Sequence, residues 1–124
     1  MKFILLTVIL SFNFLTLQSS LDGMVNALKR GNASQLSMYL DTNIELELDN
    51  KKITYSRSQA ELILKDFFNV NTVKNFEFLR MEKSNNQAKY CLGTLNTVNG
   101  LFHTTIYLKQ EKNDLMVEEI HFLK

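Results

Sequence analysis

From Val73 to its end the chain repeats one pattern, a run of strand-forming residues followed by a short polar turn. Phe76 and Phe78 alternate with polar neighbours as far as Met81, and Asn85-Asn86 turns the chain. A second run covers 87–98 and ends at Asn99-Gly100, a dipeptide suited to tight hairpins. A third covers 101–110, Glu111-Lys112-Asn113-Asp114 turns again, and a fourth covers 115–123. Connections this short force antiparallel neighbours, because a parallel crossover needs a dozen or more residues. Four such strands make a meander, and a meander must bury a face under something else.

The preceding segment supplies the cover. Leu21, Val25 and Leu28 fall on one helical face with Met24 beside them; Lys29 and Arg30 sit in the last turn, and Gly31 follows as a helix stop. Asn32 is placed to cap a second short helix with Ala33, Leu36, Tyr39 and Leu40 inward. At 43–48 the period changes: Ile44, Leu46 and Leu48 alternate with Glu45 and Glu47, the mark of a half-buried strand. Residues 49–52 turn, and 53–55 return as a short second strand. Ser56-Arg57-Ser58-Gln59 and Ser58-Gln59-Ala60-Glu61 both fit a capping box. The spacing of Ala60, Ile63, Leu64 and Phe67 predicts an amphipathic helix over 57–69, with Phe67, Leu64 and Ile63 buried on the concave face of the sheet. The order is α-α-β-(β)-α-β-β-β-β. It predicts an α+β fold, with N-terminal helices packed on a strongly curved antiparallel sheet.

Residues 1–20 stand apart from this scheme. Lys2 follows Met1, an apolar stretch reaches Leu17 broken only by Thr7, Ser11, Asn13 and Thr16, and the small residues Ser19 and Ser20 close it. That is the layout of a signal peptide, and the run is shorter than the roughly 20 apolar residues of a spanning helix. The expectation is removal of 1–20, leaving a single domain over 21–124 that is periplasmic or secreted and has no membrane span. No Cys follows the apolar run, which excludes lipid attachment there. Lys2 is the only charged residue of that stretch, so the rest carries 13 basic and 13 acidic residues. A nucleic-acid partner would call for a basic excess, and there is none. The single Cys forms no internal disulfide and cannot build a structural zinc site. Export without a disulfide suits a bacterial periplasm. Asn32-Ala33-Ser34 matches a glycosylation sequon and reads as a helix start.

The titratable candidates for chemistry are Asp41, Asp66, His103, Glu119 and His121. A general base needs a suitable pKa and a reachable proton. On 101–110, Phe102, Ile106 and Leu108 share one parity and Leu101, His103 and Tyr107 the other; on 115–123, Ile120 and Phe122 oppose Val117, His121 and Leu123. The histidines therefore face away from the helix-covered side. They are not expected to form a catalytic or metal-binding pair. Cys91 reads as a small buried thiol, and Lys51-Lys52 and Lys29-Arg30 as solvated charges. No Gly-rich phosphate loop, G-x-S-x-G or H-E-x-x-H occurs. No catalytic, cofactor-binding or metal-binding residue is assigned. Because both parities of the last strands are bulky, the outer face wants a cover. Tyr90, Leu92, His103, Tyr107 and His121 form the candidate face for a homodimer or for an envelope protein partner.

Gly31-Asn32-Ala33, Leu36 and Tyr39-Leu40-Asp41 resemble the opening of the nuclear transport factor 2-like superfamily of cystatin-like α+β cones. TYSRSQAELILKDFF at 54–68, YCLGTL at 90–95, NGLFHTTIYLK at 99–109 and VEEIHF at 117–122 resemble, more closely, the Bacteroidetes family called domain of unknown function 4783. The resemblance covers the whole chain after the leader and includes the leader. It implies the cone fold and, as in many superfamily relatives, pairing through the sheet. Family members commonly carry Ala at the position of Cys91, which implies a local replacement. The family brings no established activity. Some superfamily relatives are enzymes that place a carboxylate or His near an apolar ligand in the open end of the cone. The expected function is an exported, non-catalytic domain that binds a second copy, a protein or a small apolar molecule. The alternative is a small isomerase or dehydratase with its site in the cone. A deep apolar pocket with one buried acid or His at its base would separate the two.

Overall fold

The computed structural model describes residues 20–83, 88–111 and 114–124. The expected leader up to residue 19, the Asn85-Asn86 turn and the Lys112-Asn113 turn lie outside the described residues. Residues 20–30 are helical (α1), with Met24, Ala27 and Leu28 buried and Leu21 and Val25 partly so. Gly31 ends α1 at φ +58, a conformation in which a side chain would be strained. Its N–H donates to Leu28 O, and the Asn32 N–H to Ala27 O, which satisfies carbonyls the helix end would otherwise orphan. Asn32 then caps α2 (Ala33–Ser37), its Oδ1 accepting from the Gln35 N–H at 3.0 Å.

The strands Lys89–Thr97 and Gly100–Glu111 alternate buried and more exposed positions along most of their length, and the strand Leu40–Leu48 does so from Ile44. β1 (Leu40–Leu48) buries Leu40, Ile44 and Leu46 and turns into β2 (Lys51–Ser56). Asp49 and Asn50, both at positive φ, make that two-residue turn. α3 (Arg57–Val70) starts with the reciprocal capping box of Ser56 and Gln59 and buries Ala60, Leu64, Phe67 and Phe68. Ile63, expected inward, is only partly buried, and Phe68 takes its place in the core. β3 (Val73–Lys83), β4 (Lys89–Thr97), β5 (Gly100–Glu111) and β6 (Asp114–Leu123) form the meander. The turn between β4 and β5 uses Val98 and Asn99, one place earlier than the Asn99-Gly100 dipeptide predicted, and Gly100, at φ +113, is the first residue of β5.

The strands form one sheet in the order β2-β1-β6-β5-β4-β3, with the helices against one side. The α+β fold with a curved sheet is as expected. The sheet is mixed, however, and not antiparallel throughout. β1 runs parallel to β6, with Leu40 opposite Val117, Leu46 opposite Ile120 and Glu47 opposite His121. Parallel pairing is open to these two strands because almost the whole domain lies between them in sequence. The same pairing starts β1 at Leu40, three residues before the expected strand, where the Val117 N–H donates to Tyr39 O at 2.7 Å. A second correction concerns Val117, which is fully buried on the core face. Tyr107 faces Glu119 while Leu108 faces Val117, so Glu118 is an extra residue on β6 and the parity of the strand flips there. Among the described residues no helix is long and apolar enough to cross a membrane.

Candidate functional site

Among the described residues, aromatic rings fill the concave side of the sheet and leave little space to a ligand. α3 drops Phe67 between β5 and β6, where its ring stacks on Phe122 at 4.9 Å and meets Phe102 edge-on at 5.2 Å. Phe68 closes the same cluster against Phe67 at 5.6 Å. At its margin a depression of about 220 Å³ lies among Leu48, Asp49, Ile63, Asp66, Phe67 and Val70. That is below the usual range for a small-molecule site. Asp66 sits exposed at its rim, not at the base of a pocket. Of two larger hollows, one lies along α1 by Asp22, Val25, Asn26 and Lys29, and the other between the α1–α2 turn and α3, by Asn32, Ser34, Lys65 and Phe68. Cys91 is buried on β4, and burial pushes its thiol up to about 12, so it stays protonated and inert.

The convex side carries the polar and aromatic side chains in cross-strand rows. One row runs Glu45, Glu119, Tyr107, Tyr90, Glu82, and the next runs Glu47, His121, Thr105, Leu92, Arg80. The rings of Tyr90 and Tyr107 lie 5.8 Å apart, and those of Tyr107 and His121 5.3 Å apart. The Tyr90 hydroxyl donates to Glu82, which also accepts from Arg80 Nε. These bonds, that from Tyr90 first, hold the Glu82 carboxyl below its ordinary value, and the same bond pushes the Tyr90 phenol up. The structure thus brings Tyr90, Leu92, Tyr107 and His121 together. It sets His103 in the next row, exposed and opposite Leu123.

At the β1–β6 end of these rows His121 meets three carboxylates. Its Nε2 lies 3.1 Å from Glu119 Oε2 and 3.8 Å from Glu45 Oε2, and its Nδ1 lies 3.8 Å from Glu47 Oε1. The ring is 12% exposed and Nε2 is enclosed with no hydrogen-bond partner. Burial and then the charge of Glu45 push the Glu119 carboxyl above its ordinary value, with His121 offsetting part of the rise. The remaining candidate, Asp41, is tied to Lys109 at 2.9 Å, and Lys109 also reaches Glu111 at 3.0 Å. Sequence reasoning missed Glu45 and Glu47 as neighbours of His121. Alternation had put both on the polar side of β1, but no local signal tells which strand lies next to β1.

Comparison with known proteins agrees with this architecture. A family model described as Domain of unknown function (DUF4783) matches residues 21–122. The crystal structure of a DUF4783 family protein from Bacteroides fragilis YCH46 superposes with a TM-score of 0.77 at 30% identity, covering 82% of this chain and 95% of that one. One from Bacteroides ovatus ATCC 8483 gives 0.77 at 27% identity, over 82% and 92% of the two chains. An NTF2-like protein of unknown function from Cytophaga hutchinsonii ATCC 33406 shares the fold at 12% identity, with a TM-score of 0.55 over 85% and 86%. No curated protein matches this chain significantly.

Proposed function

The chain belongs to the DUF4783 family, and from that premise we propose that it is an exported interaction domain working through the convex face of its sheet, its first partner being a second copy of itself. The observation that carries this reading is the contrast between the two faces. The concave side, where a ligand would enter a cone, is occupied by Phe67, Phe102 and Phe122. The convex side presents Tyr90, Leu92 and Tyr107 side by side, with no layer of helix over them among the described residues. Leu101 and Leu123, at 54% and 37% exposure, extend that surface along β5 and β6. Aromatic side chains flanked by charges are what the centre and rim of protein interfaces are made of. Two-fold pairing is the commonest way for one surface to cover itself. A cone-sited isomerase or dehydratase would need the aromatic cluster to open and a buried acid or His beneath it, and Asp66 lies at the rim.

Size exclusion with light scattering on the purified protein tests the reading. The expected result is a dimer at tens of micromolar that Tyr107→Glu converts to monomer, since the new carboxylate lands beside Glu119 and Tyr90. A monomeric parent with unchanged elution for Tyr107→Glu would exclude the homodimer and leave a different protein as the occupant of the face.

A further inference from the structure

Glu45, Glu47, Glu119 and His121 form a cluster whose charges do not balance. Three carboxylates converge on one imidazole, and among the described residues no Lys or Arg forms an ion pair with any of them. Lys52 stands opposite Glu47 on β2 and on the same face, but it is exposed and makes no ion pair with it. Like charges packed this closely raise one another's proton affinity unless a cation joins them.

The two ring nitrogens of His121 meet different surroundings. Nδ1 faces Glu47 alone. At 3.8 Å the Glu47 carboxylate stands just beyond hydrogen-bond reach of Nδ1, and a small approach lets it accept the Nδ1 proton once an ion occupies Nε2, the arrangement by which a carboxylate orients a metal-binding His. Nε2 is enclosed, makes no hydrogen bond, and faces the carboxylate oxygens of Glu119 and Glu45. A nitrogen enclosed beside two carboxylate oxygens calls for a proton or a cation between them. One atom each from Glu45, Glu119 and His121 lie within 4.8 Å of one another. Around a divalent ion with bonds of about 2.0–2.2 Å, donor atoms stand about 3–3.5 Å apart. The His121–Glu119 separation of 3.1 Å already meets this, and Glu45 needs only a small swing. Both carboxylate side chains keep about a third of their surface open, which permits the swing and leaves a position for water.

The geometry points to a binding site for a divalent transition-metal ion of the zinc or manganese class, held by Nε2 of His121 and the carboxylates of Glu45 and Glu119, with Glu47 orienting the ring. One imidazole with two carboxylates suits these ions better than calcium, which takes oxygen alone, or a soft ion, which takes sulfur. The rigid part of the site comes from the parallel seam, which sets β1 beside β6 and fixes Glu45 opposite Glu119 and Glu47 opposite His121. The site is complete within one chain and does not require the convex face to pair.

Metal binding by the purified, chelator-stripped protein tests this. Zn²⁺ is titrated by calorimetry and Co²⁺ by visible absorption. The expected result is one ion per chain, a Co²⁺ band that Zn²⁺ displaces, and binding abolished by His121→Gln. Glu119→Gln and Glu45→Gln each weaken it, and Glu47→Gln weakens it about 10–100-fold. His103→Gln, on the same face but outside the cluster, leaves it unchanged. No response at millimolar ion, or binding that survives His121→Gln, or binding lost with His103→Gln, overturns the site. If the cluster variants fail to fold, imidazole NMR of the parent decides: Zn²⁺ must shift His121 and spare His103, and the reverse overturns it. Light scattering on the same samples separates this outcome from the pairing reading, since a monomer that binds the ion keeps the site and loses the dimer.

Discussion

Asp41 and Lys109 form a pair whose worth depends on pH in a calculable direction. The hydrogen bond from Lys109 is the main cause, and the Thr42 N–H a lesser one, holding the Asp41 carboxyl below its ordinary value; Lys109 is correspondingly pushed up. A carboxyl depressed in the folded state adds stability above its unfolded value and loses it as pH falls through the folded one. Asp41→Asn is therefore expected to melt below the parent at neutral pH. The gap should close as pH falls through the Asp41 carboxyl's depressed folded value, and thermal melts over that range read it. Both side chains are part-exposed, so the effect belongs with the small contributions of surface pairs. Gly93 acts on a different physical basis. A Cβ there would approach Glu77 O to 2.7 Å and run into the Phe76 ring, so the buried Phe76 lies across Gly93, diagonal to it on the next strand, because that position has no side chain.

At the scale of elements, α3 is the part on which the core rests. Its Phe67 touches rings from α3, β5 and β6 at once, and Phe67→Ala is expected to cost about 3–5 kcal/mol. Denaturant unfolding measures it, and a loss under about 1 kcal/mol would show that the cluster collapses around the gap. Much of this element was legible from sequence, because each signal was local. Ser56 and Gln59 fixed the start of α3, Asn32 that of α2, and the spacing of Ala60, Leu64 and Phe67 its buried stripe. Ile44, Leu46 and Leu48 likewise declared the inner face of β1. What failed was non-local. The bulge at Glu118 turned Val117 inward, and a single extra residue leaves no trace in composition. The same holds for the polar cluster. His121 was read correctly as outward, but two of its three carboxylate neighbours, Glu45 and Glu47, come from a strand more than seventy positions earlier, brought close only by register.

At the scale of the whole molecule, the export reading predicts that the protein recovered from its native envelope lacks the apolar leader. Intact-mass measurement should show a chain starting near Ser20, and a full-length mass in the membrane fraction would count against it. The parallel seam between β1 and β6 has a further consequence, one of timing. The last strand to be synthesised is the one that joins the first hairpin to the rest of the sheet. Until β6 exists, β1 and β2 have each other and α3, and β5 ends in an open edge. Pairings so distant in sequence close slowly, because a long loop must be ordered before any contact rewards it. The fold therefore completes only once β6 has been made, and a chain lacking Asp114–Leu123 is left with an unattached hairpin beside an unfinished meander.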